Sequence, residues 1–342
     1  RHDAAGQGVT LAKPTFHSIA TRAGVGTATI ERVLNGRGGV RPETAMKVVA
    51  AARALDWPGR LPAVHRGLLR IEILLVRPDA SFFQRLARAF QRIGATLDRS
   101  VQLVITYLDE SDPAAIARRL AAPPLPRAAL VVAAPDTEAI RQALRGVVAD
   151  GLPVVQIVSR IVEGADFVGI DNYAAGRMAG MMVSRMCRRP GPVLALCHSG
   201  SYEVHRERLR GFSDYLGTAP DTGVRFVFAG FGQDSRDLAG RRLREALRDW
   251  PDLVAVYNAG GANSALFDIL RRQAPHVFFV GHELTDASAE ALKSGVADVI
   301  LDQIPEAQAR RAVDLILARL GVTDSAVDAS PIRFTTITAE NI

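Results

Sequence analysis

Residues 14–56 read PTFHSIATRAGVGTATIERVLNGRGGVRPETAMKVVAAARALD, and this stretch decides how the chain begins to fold. Phe16, Ile19, Ala20 and Ala23 fall at i, i+3, i+4 and i+7, the spacing of one helix face, with Thr15 placed to cap it. Gly24-Val25-Gly26 breaks that helix. A second block carries Ile30, Val33 and Leu34 and stops at Asn35-Gly36, and Pro42 opens a third with Ala45, Val48, Val49, Ala52 and Leu55. Two short helices joined by a Gly-containing turn make a helix-turn-helix. Its second helix offers Thr27, Ala28, Thr29 and Arg32 on the face turned away from the core, short or polar side chains that can enter a major groove. The planar Arg32 guanidinium can bind guanine O6 and N7 together, its other reading being a solvated surface arginine.

Charge divides along the chain in the same place. Residues 1–66 hold ten Lys/Arg and four Asp/Glu, a balance of +6, which is the net charge of all 342 residues. Beyond residue 66, 32 basic and 32 acidic residues cancel. A small basic head on a neutral body points to a polyanion partner for the head and another task for the body.

At these residues the head resembles the lactose/galactose repressor (LacI/GalR) family, through Pro14-Thr15, Ile19-Ala20, Ala23-Gly24-Val25, Thr29-Ile30, Arg32-Val33-Leu34-Asn35-Gly36, Val40, Glu43-Thr44 and Val48. The resemblance implies a bacterial transcription regulator of the repressor type, reading operator DNA as a homodimer or higher oligomer. It implies base reading by Thr27, Ala28 and Arg32, with Thr15, Thr29, Asn35, Arg41 and Arg60 among the other expected DNA contacts. Two positions depart from the family pattern. Gly26 replaces a usual Ser and caps only through its backbone, and Glu31 replaces a small polar residue and is expected to turn a negative charge towards a phosphate. A third departure is the linker Gly59-Arg60-Leu61-Pro62-Ala63-Val64-His65-Arg66. Pro62 stands where a hinge helix is expected, and Val64 or His65 where a wedging Leu is expected, so altered or weak DNA bending follows while Arg60 and Arg66 still meet phosphates.

Beyond residue 69, apolar strands alternate with amphipathic helices. Strands are expected at 71–76, 102–107, 129–133, 154–158, 193–197, 224–228, 253–257, 277–280 and 299–301, and helices at 82–93, 174–186, 238–247 and 307–320. Such alternation predicts an α/β fold with two parallel sheets of five or six strands, flanked by helices, and a cleft at the strand C-terminal ends. The expected fold is thus an all-α helix-turn-helix head on a two-lobed periplasmic-binding-protein-like core. The division is 1–58 head, 59–68 hinge, and 69–342 effector core. One lobe takes about 69–170 and 303–322, and the other 171–302 and 323–342.

Most of the conspicuous polar and aromatic residues of the body fall just after strands. Asp79, Phe82 and Phe83 follow the first strand, where aromatic faces suit a sugar ring, the alternative for both phenylalanines being core packing. By the resemblance, Arg208 is the ligand-gripping arginine and Asn258 the ligand-binding amide. Glu283 replaces an Asp and adds one methylene, and Gln303 lies at a lobe crossover. Capping or turn roles remain open for Asn258, Glu283 and Gln303. Ser159-Arg160 replaces an Asp-Arg pair and Ala134 a polar residue, which counts against a plain pentose and leaves a polyol, a hexose or a sugar acid pairing with Arg160 or Arg208.

Catalytic motifs are missing. Gly24-Val25-Gly26 follows no strand and lacks a third glycine, and there is no phosphate loop. His198, His205 and His282 have no zinc-ligand spacing, and residues 199–201 lack the nucleophile-elbow pattern. The chain is therefore read as no enzyme, with no cofactor and no metal. No apolar run approaches the length of a membrane span, no apolar signal region opens the sequence, and two cysteines make no disulfide framework, so the expected compartment is cytoplasmic. The rival reading is a sugar-type ligand sensor whose operator binding is impaired, favoured by Glu31, Pro62 and His65.

Overall fold

The computed structural model describes residues 14–37, 39–55, 57–59, 68–200, 202–219, 223–233, 235–323 and 326–342. Arg60, Pro62, Val64, His65 and Arg66, and with them most of the expected hinge, lie outside the described residues.

The head contains three helices, α1 (Phe16–Ala23), α2 (Thr27–Leu34) and α3 (Pro42–Ala54), as the apolar spacing predicts. Thr15 caps α1 by accepting from the Ser18 backbone, while Ser18 Oγ accepts from the Thr15 N–H, a reciprocal box that satisfies two otherwise orphaned donors. Gly24 ends α1 at φ 66°, a left-handed turn that favours glycine and sends the chain into α2. Ile19, Ala20, Ile30, Val33, Val48, Val49 and Ala52 form the head's small core, and the Phe16 and Trp57 rings pack at 5.3 Å.

The body begins with β1 (Leu69–Val76), α4 (Ser81–Gly94), β2 (Val101–Leu108), α5 (Pro113–Ala121), β3 (Ala129–Val132), α6 (Glu138–Ala149), β4 (Val154–Ile157) and β5 (Asp166–Val168). Their strands order as β2-β1-β3-β4-β5. A second sheet follows, ordered β11-β10-β9-β8-β6-β7, from β6 (Gly191–Cys197), β7 (Val224–Phe231), β8 (Ala255–Asn258), β9 (Phe278–His282), β10 (Val299–Asp302) and β11 (Thr335–Ile337). The second lobe's helices are α7 (Asn172–Met186), α8 (Glu203–Thr218), α9 (Arg236–Asp249), α10 (Asn263–Gln273) and α11 (Asp286–Lys293). The next helix, α12 (Pro305–Arg319), packs on α4, β4 and β5. Pairing is parallel between β1 and β3, β3 and β4, and β4 and β5, and through the second sheet until β11 runs antiparallel to β10.

This is the expected α/β class, with five- and six-stranded sheets. Strands β3, β4, β8 and β10 are buried along their whole length, because helices cover both faces, and they therefore read as unbroken apolar runs. The exception is Glu72 in β1, which is 3% exposed and held by Arg119 Nε at 2.7 Å and Arg127 Nη1 at 2.6 Å. A buried carboxylate is tolerated only when paired in this way. The chain crosses between the sheets after β5, after β10 and after α12, and Ile170 bridges to Ile332 beside the first and last crossings. Among the described residues no helix is long and apolar enough to cross a membrane.

Candidate functional site

A cavity of about 460 Å³ opens where the strands of both sheets end at their C-termini, the position at which open α/β sheets take ligands. Its volume suits a small molecule of sugar size. The backbone marks the same place. Six described non-glycine residues have positive φ: Arg77, Val158, Gln233, Ala262, Glu283 and Ile304. The first five line the cavity, and Ile304 follows the lining residue Gln303. A β-branched Val158 at φ 76° is strained, and strain of this kind persists where surrounding structure imposes it, commonly at binding sites.

Arg208 is placed by two helices in backbone contact. A Cβ on Gly176 of α7 would stand 2.0 Å from the Arg208 carbonyl oxygen, and one on Gly211 of α8 would stand 2.1 Å from that of Tyr173. Only glycine allows that approach. It brings Asn172 Oδ1 within 2.9 Å of Arg208 Nε, while Arg208 Nη1 donates to the Ala259 carbonyl at 2.8 Å. The guanidinium is 2% exposed and reaches the cavity wall.

Glu283 follows β9 at φ 72° and is 5% exposed. Gln303 Nε2 donates to its Oε1; its Oε2 has no hydrogen-bond partner, and Arg85 Nη1 is 3.9 Å away. Burial, with repulsion from Asp302, pushes the Glu283 carboxyl up to about 7 despite Gln303, Arg208 and Arg85. Behind it, Arg85 of α4 reaches Asp302 at 2.6 Å and 3.1 Å and Glu306 at 2.9 Å and 3.1 Å. Burial opposes that charge, but the two carboxylates outweigh it and hold Arg85 protonated.

At the cavity mouth Glu110, beyond β2, accepts from Tyr202 Oη at 2.6 Å and faces His198 Nε2 at 3.4 Å and Arg77 Nε at 3.6 Å. Burial works against its charge, yet His198, Tyr202 and Arg77 hold its carboxyl below the usual range. The two lobes are thus joined at the rim by hydrogen bonds and ion pairs as well as by chain crossings.

The cavity brings together Asp79, Phe82, Phe83, Arg208, Glu283 and Gln303 from among the residues singled out by sequence. Phe82 and Phe83 meet edge to face at 5.3 Å, with Arg77 over Phe83 at 5.8 Å, so these rings serve core and cavity wall at once. Arg160 does not reach the cavity. Its backbone N–H donates to Glu203 Oε2 at 2.8 Å, Ser159 Oγ accepts from the Glu203 N–H, and its guanidinium lies over Phe167 at 5.1 Å in a separate recess. Asn258 stands one step behind the wall, its Nδ2 donating to Gly261 O and Asn263 Oδ1, both at 2.7 Å, so that it shapes the loop entering α10. Sequence reasoning passed over Arg77, Tyr202, Asn263 and Arg236, which also line the cavity together with His205. Position just after a strand was the available signal for Arg77 and Asn263.

In the head, Thr15, Thr27, Ala28, Arg32, Asn35 and Arg41 are exposed and Thr29 is half-buried, with Ile30 and Val33 turned into the core. Asn35 is the C-cap of α2. Glu31 is paired with Arg37 Nη1 at 3.1 Å, which offsets the negative charge expected to face a phosphate. Arg60 lies outside the described residues.

A helix-turn-helix head precedes, in the chain, a two-lobed body with an inter-lobe cavity. Residues 15–58 match the bacterial regulatory proteins of the lacI family, and residues 71–321 match the periplasmic binding protein domain. The chain belongs to the LacI/GalR family. Among solved structures, its body is similar to GanP, a glucose-galactose binding protein from Geobacillus stearothermophilus, with 17% identity, a TM-score of 0.68, and coverage of 80% of this chain and 99% of that one. It is also similar to a solute binding protein from Burkholderia graminis in complex with D-arabinose, with 14% identity, a TM-score of 0.69, and coverage of 81% and 97%. A third, from Agrobacterium vitis with bound α-D-tagatopyranose, has 19% identity, a TM-score of 0.68, and coverage of 80% and 95%. At these identities the likeness is one of fold. No curated protein matches the sequence.

Proposed function

We propose that the protein is a repressor that binds a pseudo-palindromic operator as a homodimer, in the cytoplasm, under the control of a small carbohydrate-like effector held in the cavity of the body. The observation that carries this reading is the cavity itself, a sugar-sized space lined by Arg208, Glu283, Gln303 and the Phe82-Phe83 pair, in a chain that begins with a lacI-type head. Two similar folds carry D-arabinose and tagatose in their solved structures, which supports the ligand class.

One recognition helix reads only a few base pairs, so a two-fold pair of heads doubles the contacts at fixed half-site spacing. In this reading Thr27, Ala28 and Arg32 meet bases, and Thr15, Thr29, Asn35, Arg41 and Arg60 meet the backbone. Control follows from linkage: the effector shifts DNA affinity only by its unequal binding to two states of the body, a coupling of about 1 to 3 kcal/mol. The residues bind and transmit, and no reaction is assigned to them.

The test is selection of bound fragments from a genomic DNA pool at near-physiological salt, repeated with a mixture of sugars, polyols and sugar acids. Enrichment of an inverted repeat whose recovery the mixture alters supports the reading. Salt-sensitive recovery of unrelated sequences in both arms overturns it in favour of a ligand sensor with impaired operator binding.

A further inference from the structure

Glu31 stands in the middle of the outward face of α2. Ile30 and Val33 are buried, while Thr27, Ala28, Arg32 and Asn35 are exposed, and Glu31 lies among them with its side chain 46% exposed. Residues three and four apart are neighbours on a helix surface, so Glu31 adjoins Thr27 and Ala28 on one side and Asn35 on the other. Ala28 ends at Cβ and Thr27 at Cγ2. The Glu31 carboxylate therefore outreaches both neighbours.

A second observation concerns what holds that carboxylate. Gly36 at φ 65° turns the chain back at the end of α2, and the Arg37 N–H donates to the Arg32 carbonyl at 2.9 Å. This return places Arg37 Nη1 3.1 Å from Glu31 Oε1, with the arginine side chain itself 64% exposed. The pairing offsets the charge without taking the carboxylate out of solvent.

A carboxylate on such a face can meet either of two things in a major groove. Against a phosphate it is repelled on every sequence alike. Against base edges it discriminates, because cytosine presents its N4–H2 donor with no acceptor beside it. Guanine turns O6 and N7 outward, thymine turns O4 outward, and adenine sets the N7 acceptor next to its N6 donor. A carboxylate fits the first edge and opposes the others.

We propose that Glu31 is a base reader that accepts from the N4–H2 of a cytosine in each half-site and rejects guanine and thymine there, with Arg37 steadying it. This rests on the head being an operator reader. Glu31 then changes which base is chosen and does not simply weaken binding to all DNA.

The test is selection from a random duplex pool by the full chain at near-physiological salt, followed by competition binding on single-base variants of the selected site. The wild type is expected to require one C·G pair in each half-site, distinct from the pair that answers to Arg32→Ala, and to lose about fivefold or more in affinity when it is changed. Glu31→Ala should erase that preference and leave the other positions as they were. Glu31→Gln should admit A·T beside C·G at the same position, since an amide accepts from cytosine and also pairs with adenine N6 and N7. Arg37→Gln should keep the C·G preference; its loss there would make Arg37 the reader, through the guanine of that pair, and overturn the inference. An unchanged selected sequence, with Glu31→Ala binding all DNA more tightly, would mean that the carboxylate faces a phosphate, which overturns the inference and leaves operator reading standing. A wild type that selects no inverted repeat removes operator reading and the inference with it.

Discussion

Arg85 Nη1 lies 2.6 Å from Asp302 Oδ1, although 217 residues separate them. The pair ties α4 to the end of β10, at the crossing from which the chain enters α12, and Glu306 completes it from the first turn of that helix. Removing the cation leaves Asp302, 6% exposed, without its counter-charge. Arg85→Met is expected to destabilise the body by about 3 kcal/mol, at the lower end for a broken buried pair because Arg85 keeps some contact with water. Urea denaturation checks this, and a loss under about 1 kcal/mol would place the network with ordinary surface ion pairs.

Glu283 gives the body a pH dependence of defined sign. Its carboxyl titrates near 7 in the fold and near 4.5 when unfolded, so between those values the folded chain holds a proton that the unfolded chain has released. Stability contributed by that proton is present below about pH 4.5 and is lost as pH rises through 7, a change of roughly 3 kcal/mol. Asp302, Arg85 and Arg208 are the charged groups that face it. Thermal unfolding from pH 5 to pH 8 should show a fall that Glu283→Gln flattens. An equal fall in the variant would assign the slope to other groups.

Gly176 is expected to tolerate no larger residue. Gly176→Ala places a methyl group against the Arg208 carbonyl, forces α7 and α8 apart, and should cost about 1 to 3 kcal/mol. Because Asn172 moves with α7, effector affinity should fall as well, whereas Gly146→Ala, at a position in α6 with open space, should leave effector affinity unchanged. Calorimetry on both variants separates a local role for the helix contact from a general effect of the substitution.

How much of this was legible in the sequence depended on the range of the interaction. The head could be read because its three helices are short, amphipathic and punctuated by Gly24-Val25-Gly26, Asn35-Gly36 and Pro42, all local signals. Long apolar runs at β1 and β6 announced themselves for the same reason, while β5 and β11, with three residues each, carry too little pattern to be seen. The cavity residues Arg208, Glu283 and Gln303 were visible through family resemblance and position after strands. Arg85 was not, since its partners lie over 200 residues away. Arg160 follows a strand as binding residues do, while its backbone N–H donates to Glu203 of α8 and its guanidinium lies over Phe167. Positive φ at Val158 and Glu283 leaves no mark in sequence, because neither residue type favours it.

Arg32 separates base reading from charge attraction in the head. It is exposed on α2, with its guanidinium beside Gly39. Arg32→Ala should cost about 1 to 3 kcal/mol at one base pair of the operator and little on other sequences. Competition binding with single-base operator variants measures this, and equal losses on all DNA would make Arg32 a phosphate contact.

The central claim is that occupancy of the cavity changes affinity for DNA. Its most direct test is fluorescence anisotropy of a selected inverted repeat with the full chain, titrated with the tightest-binding sugar derivative, for the wild type and for Arg208→Ala. The account predicts that the ligand changes the operator Kd of the wild type by roughly 5- to 150-fold and leaves that of the variant unchanged, with ligand-free DNA binding alike in both. A wild-type Kd indifferent to saturating ligand, or a shift that persists in Arg208→Ala, would contradict it.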